Sequence, residues 1–97
     1  MTTFIKRDAG LVVRDIGDEL LLLDLSSNRV HQLNRTASFV WRHCGDRTSV
    51  EEIRRSVLAA FDIAEEVVDK DVRSILQTLE RLGLVARVDP REEKTAA

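Results

Sequence analysis

His31, His43 and Cys44 are the side chains best suited to nucleophilic, general-base or soft-metal chemistry, and their spacing assembles none of these. His43 and Cys44 are neighbours in a stretch of helical periodicity, where consecutive side chains project about 100° apart. A helical metal pair uses i, i+4 spacing, which puts both ligands on one face. Cys44 falls on the apolar face, where a free cysteine serves as a small buried hydrophobe. It is the one cysteine of the chain, so neither an intrachain disulfide nor a cysteine metal cluster can form. The glycines are scattered at turns rather than gathered in a phosphate loop, and no serine sits in a nucleophile-elbow context. The reading is therefore of a protein that is not an enzyme, with no metal site and no cofactor.

The acidic residues Asp62, Glu65, Glu66, Asp69 and Asp71 crowd the start of the last helical stretch. Carboxylates are favoured there by the helix dipole. Their spacing does not match a calcium loop, which also needs a glycine at its sharp turn. Asp71 differs from the others because it lies beside the apolar stripe rather than opposite it.

The elements that position these residues can be read from periodicity. Leu11–Ile16 (LVVRDI) is rich in β-branched residues, Gly17-Asp18 is a turn signal, and Glu19–Leu25 (ELLLLDL) is an apolar run short enough for a buried strand. Ser26-Ser27-Asn28 is a tight-turn cluster, and Arg29–Leu33 (RVHQL) returns as a third strand. The pattern then turns helical. Asn34 is a good N-cap, and Ala37, Val40, Trp41 and Cys44 recur at i, i+3, i+4 and i+7. Gly45 is placed to end that helix. Thr48 with Glu51 has the capping-box pattern, opening a second helix with Val50, Ile53, Val57, Ala60 and Phe61 on one side. A third helix runs from about Ala64 to Leu82, with Val68, Val72, Ile75, Leu79 and Leu82 as its stripe and Gly83 as its stop. Strands first and helices after them predict an α+β domain: a three-stranded antiparallel sheet followed by three helices. Residues 1–10 read as a loose leader, and residues 87–97, with Pro90 and a charged run, as a mobile tail.

A chain of 97 residues fits one small domain with a single core. The longest apolar run, Leu20–Leu23, is far too short to span a bilayer, and the N-terminus lacks the apolar stretch of a signal peptide. A cytoplasmic location is expected. The net charge of -2 and pI of about 5.7 weigh against nucleic acid, whose binders are mostly basic.

The run LLLLDLSSNRVHQLNRTASFVW, residues 20 to 41, resembles the PqqD family: an apolar strand, a short turn, a strand ending in Leu-Asn, then a Thr-containing helix start leading to an apolar-Trp pair. RTSVEEI at 47–53 is similar to that family's second-helix opening, and DVRSILQTLERLGLV at 71–85 to its closing helix. The resemblance covers residues 11 to 86. It implies a winged-helix-like, non-catalytic domain, a recognition element that binds the leader of a ribosomally made precursor peptide. The leader adds as a strand beside the third strand, against the third helix, and is presented to a modifying enzyme, often a radical-SAM protein.

On that resemblance the peptide would pair with the edge formed by Arg29, Val30, His31, Gln32 and Leu33. The opposite wall would come from Val68, Asp71, Val72 and Ile75. Unpaired N–H and C=O groups at such an edge accept an extended peptide, and pockets beside it supply specificity. Arg29 and His31 could pair with polar leader side chains, although strand addition relies mainly on the backbone. The edge could equally pair with its own copy in a homodimer. The competing reading is a winged-helix DNA-binding regulator with the third helix in the major groove. The crowded carboxylates at the start of that helix would repel phosphates.

Overall fold

The computed structural model describes residues 2–88. The chain runs β1 (Thr3–Lys6), β2 (Leu11–Ile16), β3 (Glu19–Asp24), β4 (Arg29–Leu33), α1 (Arg35–His43), β5 (Thr48–Ser49), α2 (Val50–Ala60), α3 (Glu65–Arg81) and β6 (Val85–Val88). The expected meander is present as an antiparallel sheet in the order β2-β3-β4. Its first hairpin closes at Ile16 opposite Glu19, leaving Gly17 and Asp18 as a two-residue turn. Gly17 has φ +67°, the left-handed conformation that such turns require and glycine adopts without strain.

The reading of residues 1–10 as a loose leader is corrected. Thr3–Lys6 is the central strand of a second sheet, in the order β5-β1-β6. Phe4, 3% exposed, anchors it in the core. The tail reading is corrected at Arg87 and Val88, which belong to β6 and pair with Phe4 and Thr3. Residues 89–97 lie outside the described residues. The second helix starts one residue later than its motif suggested. Thr48 is extended and pairs with Phe4, so the cap falls to Ser49, whose Oγ accepts from Glu52 N–H. Phe61 lies just beyond α2 as its C-cap.

Alternation along β3 buries Leu20, Leu22 and Asp24 on one face. Leu20 and Leu22 join a core with Leu33, Val40, Trp41 and Cys44, continued by Ile53, Val57, Val68, Val72, Leu76 and Leu79 from the other helices. The Trp41 indole N–H donates to Leu84 C=O at 3.0 Å, tying α1 to the residue before β6.

A polar clamp joins the two sheets. Arg7, just after β1, donates to both carboxylate oxygens of the buried Asp24 at 3.0 Å each. Ser26 N–H and Oγ also donate to Asp24, at 3.0 and 2.7 Å. The Arg7 guanidinium, and then Ser26, hold the Asp24 carboxyl well below the usual carboxylate range. A depressed folded-state pKa contributes stability that is complete above the unfolded value of about 4 and is lost as pH falls through the folded value. The urea midpoint is therefore expected to fall as pH is lowered from 5 to 2. Asp24→Asn should lower the midpoint at pH 7 and flatten that acid dependence. An unchanged slope in the variant would contradict the clamp.

Candidate functional site

The order β2-β3-β4 leaves β4 at an edge, paired with β3 alone. A buried hydroxyl shows which of its backbone groups are free. Leu20 N–H donates to Ser38 Oγ at 3.0 Å, and that Oγ donates to Leu33 C=O at 2.9 Å. Ser38 thus stands in for a direct ladder bond between the facing residues Leu20 and Leu33. Hydrogen-bonding direction alternates along an antiparallel strand. The N–H and C=O groups of residues 29, 31 and 33 therefore turn toward β3, and those of Val30 and Gln32 turn outward. Among the described residues the outward groups meet no strand.

Beside this edge lies a hollow of about 260 Å³, lined by Gln32, Leu33, Asn34 and Ala37 on one side and Ser74, Ile75, Thr78, Leu79 and Leu82 on the other. Its lining is aliphatic with neutral amides and hydroxyls, and includes no charged side chain. Asn34 is held there by capping α1, its Oδ1 accepting from Ala37 N–H at 2.9 Å. Such a hollow suits an apolar side chain projecting from an extended backbone that pairs with β4.

Arg29, Val30 and Gln32 are exposed, His31 is half-buried and Leu33 is buried. The exposed Gln32 amide donates to Glu19. On α3, Ile75 is half-buried in the hollow and Asp71 is exposed. Val68 and Val72 are 1% and 0% exposed. They support α3 from the core and offer no surface to a ligand in this structure. The hollow thus lies nearly two turns further along α3 than the wall read from sequence. Ser74, Thr78, Leu79 and Leu82 were missed, as were Asn34 and Ala37. The i, i+3, i+4, i+7 series from Ile75 through Thr78 and Leu79 to Leu82 was the available signal.

A larger hollow, about 380 Å³, lies among Thr2, Phe4, Val50, Arg73, Leu76, Gln77 and Arg87. Its two cations are already engaged, Arg73 with Asp69 and Arg87 with Glu80, and the strands beside it are short. The β4 hollow is the better site despite its smaller volume, because it adjoins open backbone groups.

No group of three or more His, Cys, Asp or Glu among the described residues could hold a metal ion. His43 stacks on Phe39 and its Nδ1 lies 2.8 Å from Phe39 C=O. Cys44 is fully buried and its Sγ donates to Val40 C=O. Burial pushes its thiol pKa up to about 12. In the native protein Cys44 should react negligibly with a thiol reagent at pH 8, and fully once urea unfolds the chain. Native labelling at the rate of a small free thiol would contradict this packing.

A family model described as coenzyme PQQ synthesis protein D (PqqD) matches residues 19–85. No curated protein matches the chain. Among solved structures, TbiB1 in complex with the TbiA(beta) leader peptide is 26% identical with a TM-score of 0.71, over 84% of this chain and 94% of that one. Lasso peptide synthetase B1 complexed with the leader peptide is 20% identical with a TM-score of 0.71, over 86% and 96%. The second likeness shows the fold alone.

Proposed function

The chain belongs to the PqqD family, whose model spans β3 to the start of β6, and from that membership and the open β4 edge we propose a non-catalytic leader-peptide-binding domain. It captures the leader of a ribosomally made precursor by strand addition and presents it to a peptide-modifying enzyme. The observation that carries this reading is the pairing of outward backbone groups at Val30 and Gln32 with an uncharged apolar hollow beside them. The leader would lie along Arg29–Leu33, its backbone bonded to β4 and one apolar side chain set between Leu33 and Ile75. Asp71 and Arg29, both exposed and outside the lining of the hollow, would contact polar leader side chains that extend beyond it. The leader peptide bound to TbiB1, the 26% identical relative, supports the reading by analogy. The functional unit includes β1 and β6 together with residues 11–86. Placement in the cytoplasm is part of the proposal; no described helix is long and apolar enough to cross a membrane.

The DNA-binding alternative gains nothing from the geometry. Glu65 and Glu66 occupy the first turn of α3, and Asp69 follows one turn later. Approach of that end to phosphates would be repulsive.

The test is a fluorescence-anisotropy titration with synthetic leader segments of short reading frames neighbouring this gene, alongside a random-sequence duplex DNA. Saturable binding of one leader with weak salt dependence is expected. Tight DNA binding that weakens steeply with salt, and no response to any leader, would overturn the proposal.

A further inference from the structure

Strand edges exposed to solvent are normally guarded against pairing with other chains by charges, prolines, bulges or short length. The other edges in this fold are guarded. β2 carries the exposed charges Arg14 and Asp15 in mid-strand, and Asp15 is further held by Arg42. β5 is two residues long and β6 four. β4 is different. Its register with β3 is unbroken from Arg29 to Leu33, so no bulge twists it away. It has no proline, and its one charged residue, Arg29, stands at its start. Val30, on the edge itself, is 59% exposed.

The outward groups of β4 are also self-complementary. Val30 and Gln32 flank His31 symmetrically. A second β4 placed antiparallel about a two-fold axis at His31 brings Val30 opposite Gln32 of the second copy. Each outward N–H then meets an outward C=O, which is the closed, isologous arrangement of a two-fold dimer. We propose that, without leader peptide, two copies of this chain pair through their β4 edges in this register, occupying the donors and acceptors that the leader would use. A strand-to-strand seam buries well under the about 800 Å² per partner of a stable interface. The dimer is therefore weak and concentration-dependent, and leader binding dissociates it. Only this competition rests on the peptide reading; the pairing itself rests on the geometry of β4.

The register is testable by cysteine crosslinking. The two His31 positions face each other as a non-hydrogen-bonded pair with Cα atoms about 4.5 Å apart, within the about 4.4–6.8 Å that a disulfide spans. The two Val30 positions are offset along the seam by two residues and lie roughly 8 Å apart, beyond disulfide reach. Light scattering after size-exclusion chromatography of the unmodified chain should give a mass that climbs from 11.0 kDa toward twice that value as concentration rises. Mild oxidation should crosslink His31→Cys, but not Val30→Cys. The unmodified chain should give no crosslink, because Cys44 is buried. Adding Gln32→Pro to His31→Cys should reduce the crosslink about tenfold or more, with the fold checked by circular dichroism.

A monomer mass across the whole range overturns the proposal, as does equal crosslinking at positions 30 and 31. Because the Val30→Cys comparison needs no proline, the register stays testable if that variant misfolds. A leader that binds a strictly monomeric chain refutes self-pairing and leaves the peptide reading standing. A dimer crosslinked at position 31 that no leader dissociates supports self-pairing and counts against the peptide reading.

Discussion

Gln32→Pro is expected to weaken leader binding by about tenfold or more, and Gln32→Ala by less than about threefold, with both variants folded. The difference follows from the direction of the residue 32 backbone. Its N–H points away from β3, so proline removes a donor that the peptide would use, not one that holds the sheet together. Proline is tolerated on edge strands for that reason. The side chain contributes an exposed hydrogen bond to Glu19 and part of the rim of the hollow, which alanine sacrifices at little cost beside the backbone bonds. A complementary experiment leaves the protein untouched: N-methylation of alternate leader amides should weaken binding strongly at one parity and weakly at the other. Equal binding by the proline variant and the unmodified chain would show that the peptide does not use this edge.

Trp41→Ala is expected to cost about 3–5 kcal/mol of folding stability. Trp41 is 3% exposed, its indole N–H is bonded to Leu84 C=O, and the Lys6 ammonium lies 4.9 Å from its ring centroid. Truncation opens a cavity between α1 and the start of β6 and leaves the Leu84 carbonyl without this donor. A domain of this size has about 5–15 kcal/mol in total, so the loss takes much of its margin and lowers the melting temperature by roughly 15–30 °C. Urea unfolding followed by circular dichroism measures it. A change below about 1 kcal/mol would contradict the position given to Trp41 in the core.

The parts of this fold that were legible in the sequence are those held by local signals. The β2-β3-β4 meander announces itself through β-branched and apolar runs separated by Gly17-Asp18 and Ser26-Ser27-Asn28. The helices show apolar stripes bounded by Asn34 and Gly83. β1, β5 and β6 were illegible because they are two to four residues long and pair only with residues distant in the chain, Thr3 with Ser49 and Val88. No periodicity can develop over such lengths. The cap of α2 was read one residue early, at Thr48 instead of Ser49, for a different reason. Thr48-x-x-Glu51 and Ser49-x-x-Glu52 both fit the motif, and the pairing of Thr48 with Phe4 decides between them.

The candidate site divides in the same way. The open edge followed from β4 being the last strand of a consecutive meander. The helical wall was only partly legible, because residues of one stripe can face either the core or a groove. Val68 and Val72 face the core, whereas Ile75 and Leu82 reach the hollow. That distinction depends on how α3 passes β4, which a helical stripe does not encode. Asn34 and Ala37 were read as helix-capping and core positions, and they are also hollow-lining ones.

Amide chemical-shift mapping of the full chain, titrated with the leader that binds it, tests the central claim most directly. The perturbed amides should fall in residues 29–34 and 74–82, with the Val30 and Gln32 amides shifting downfield as their N–H groups gain acceptors. A response centred instead on Phe4, Val50, Arg73 and Arg87, with residues 29–33 silent, would contradict strand addition at β4 even if the peptide bound tightly.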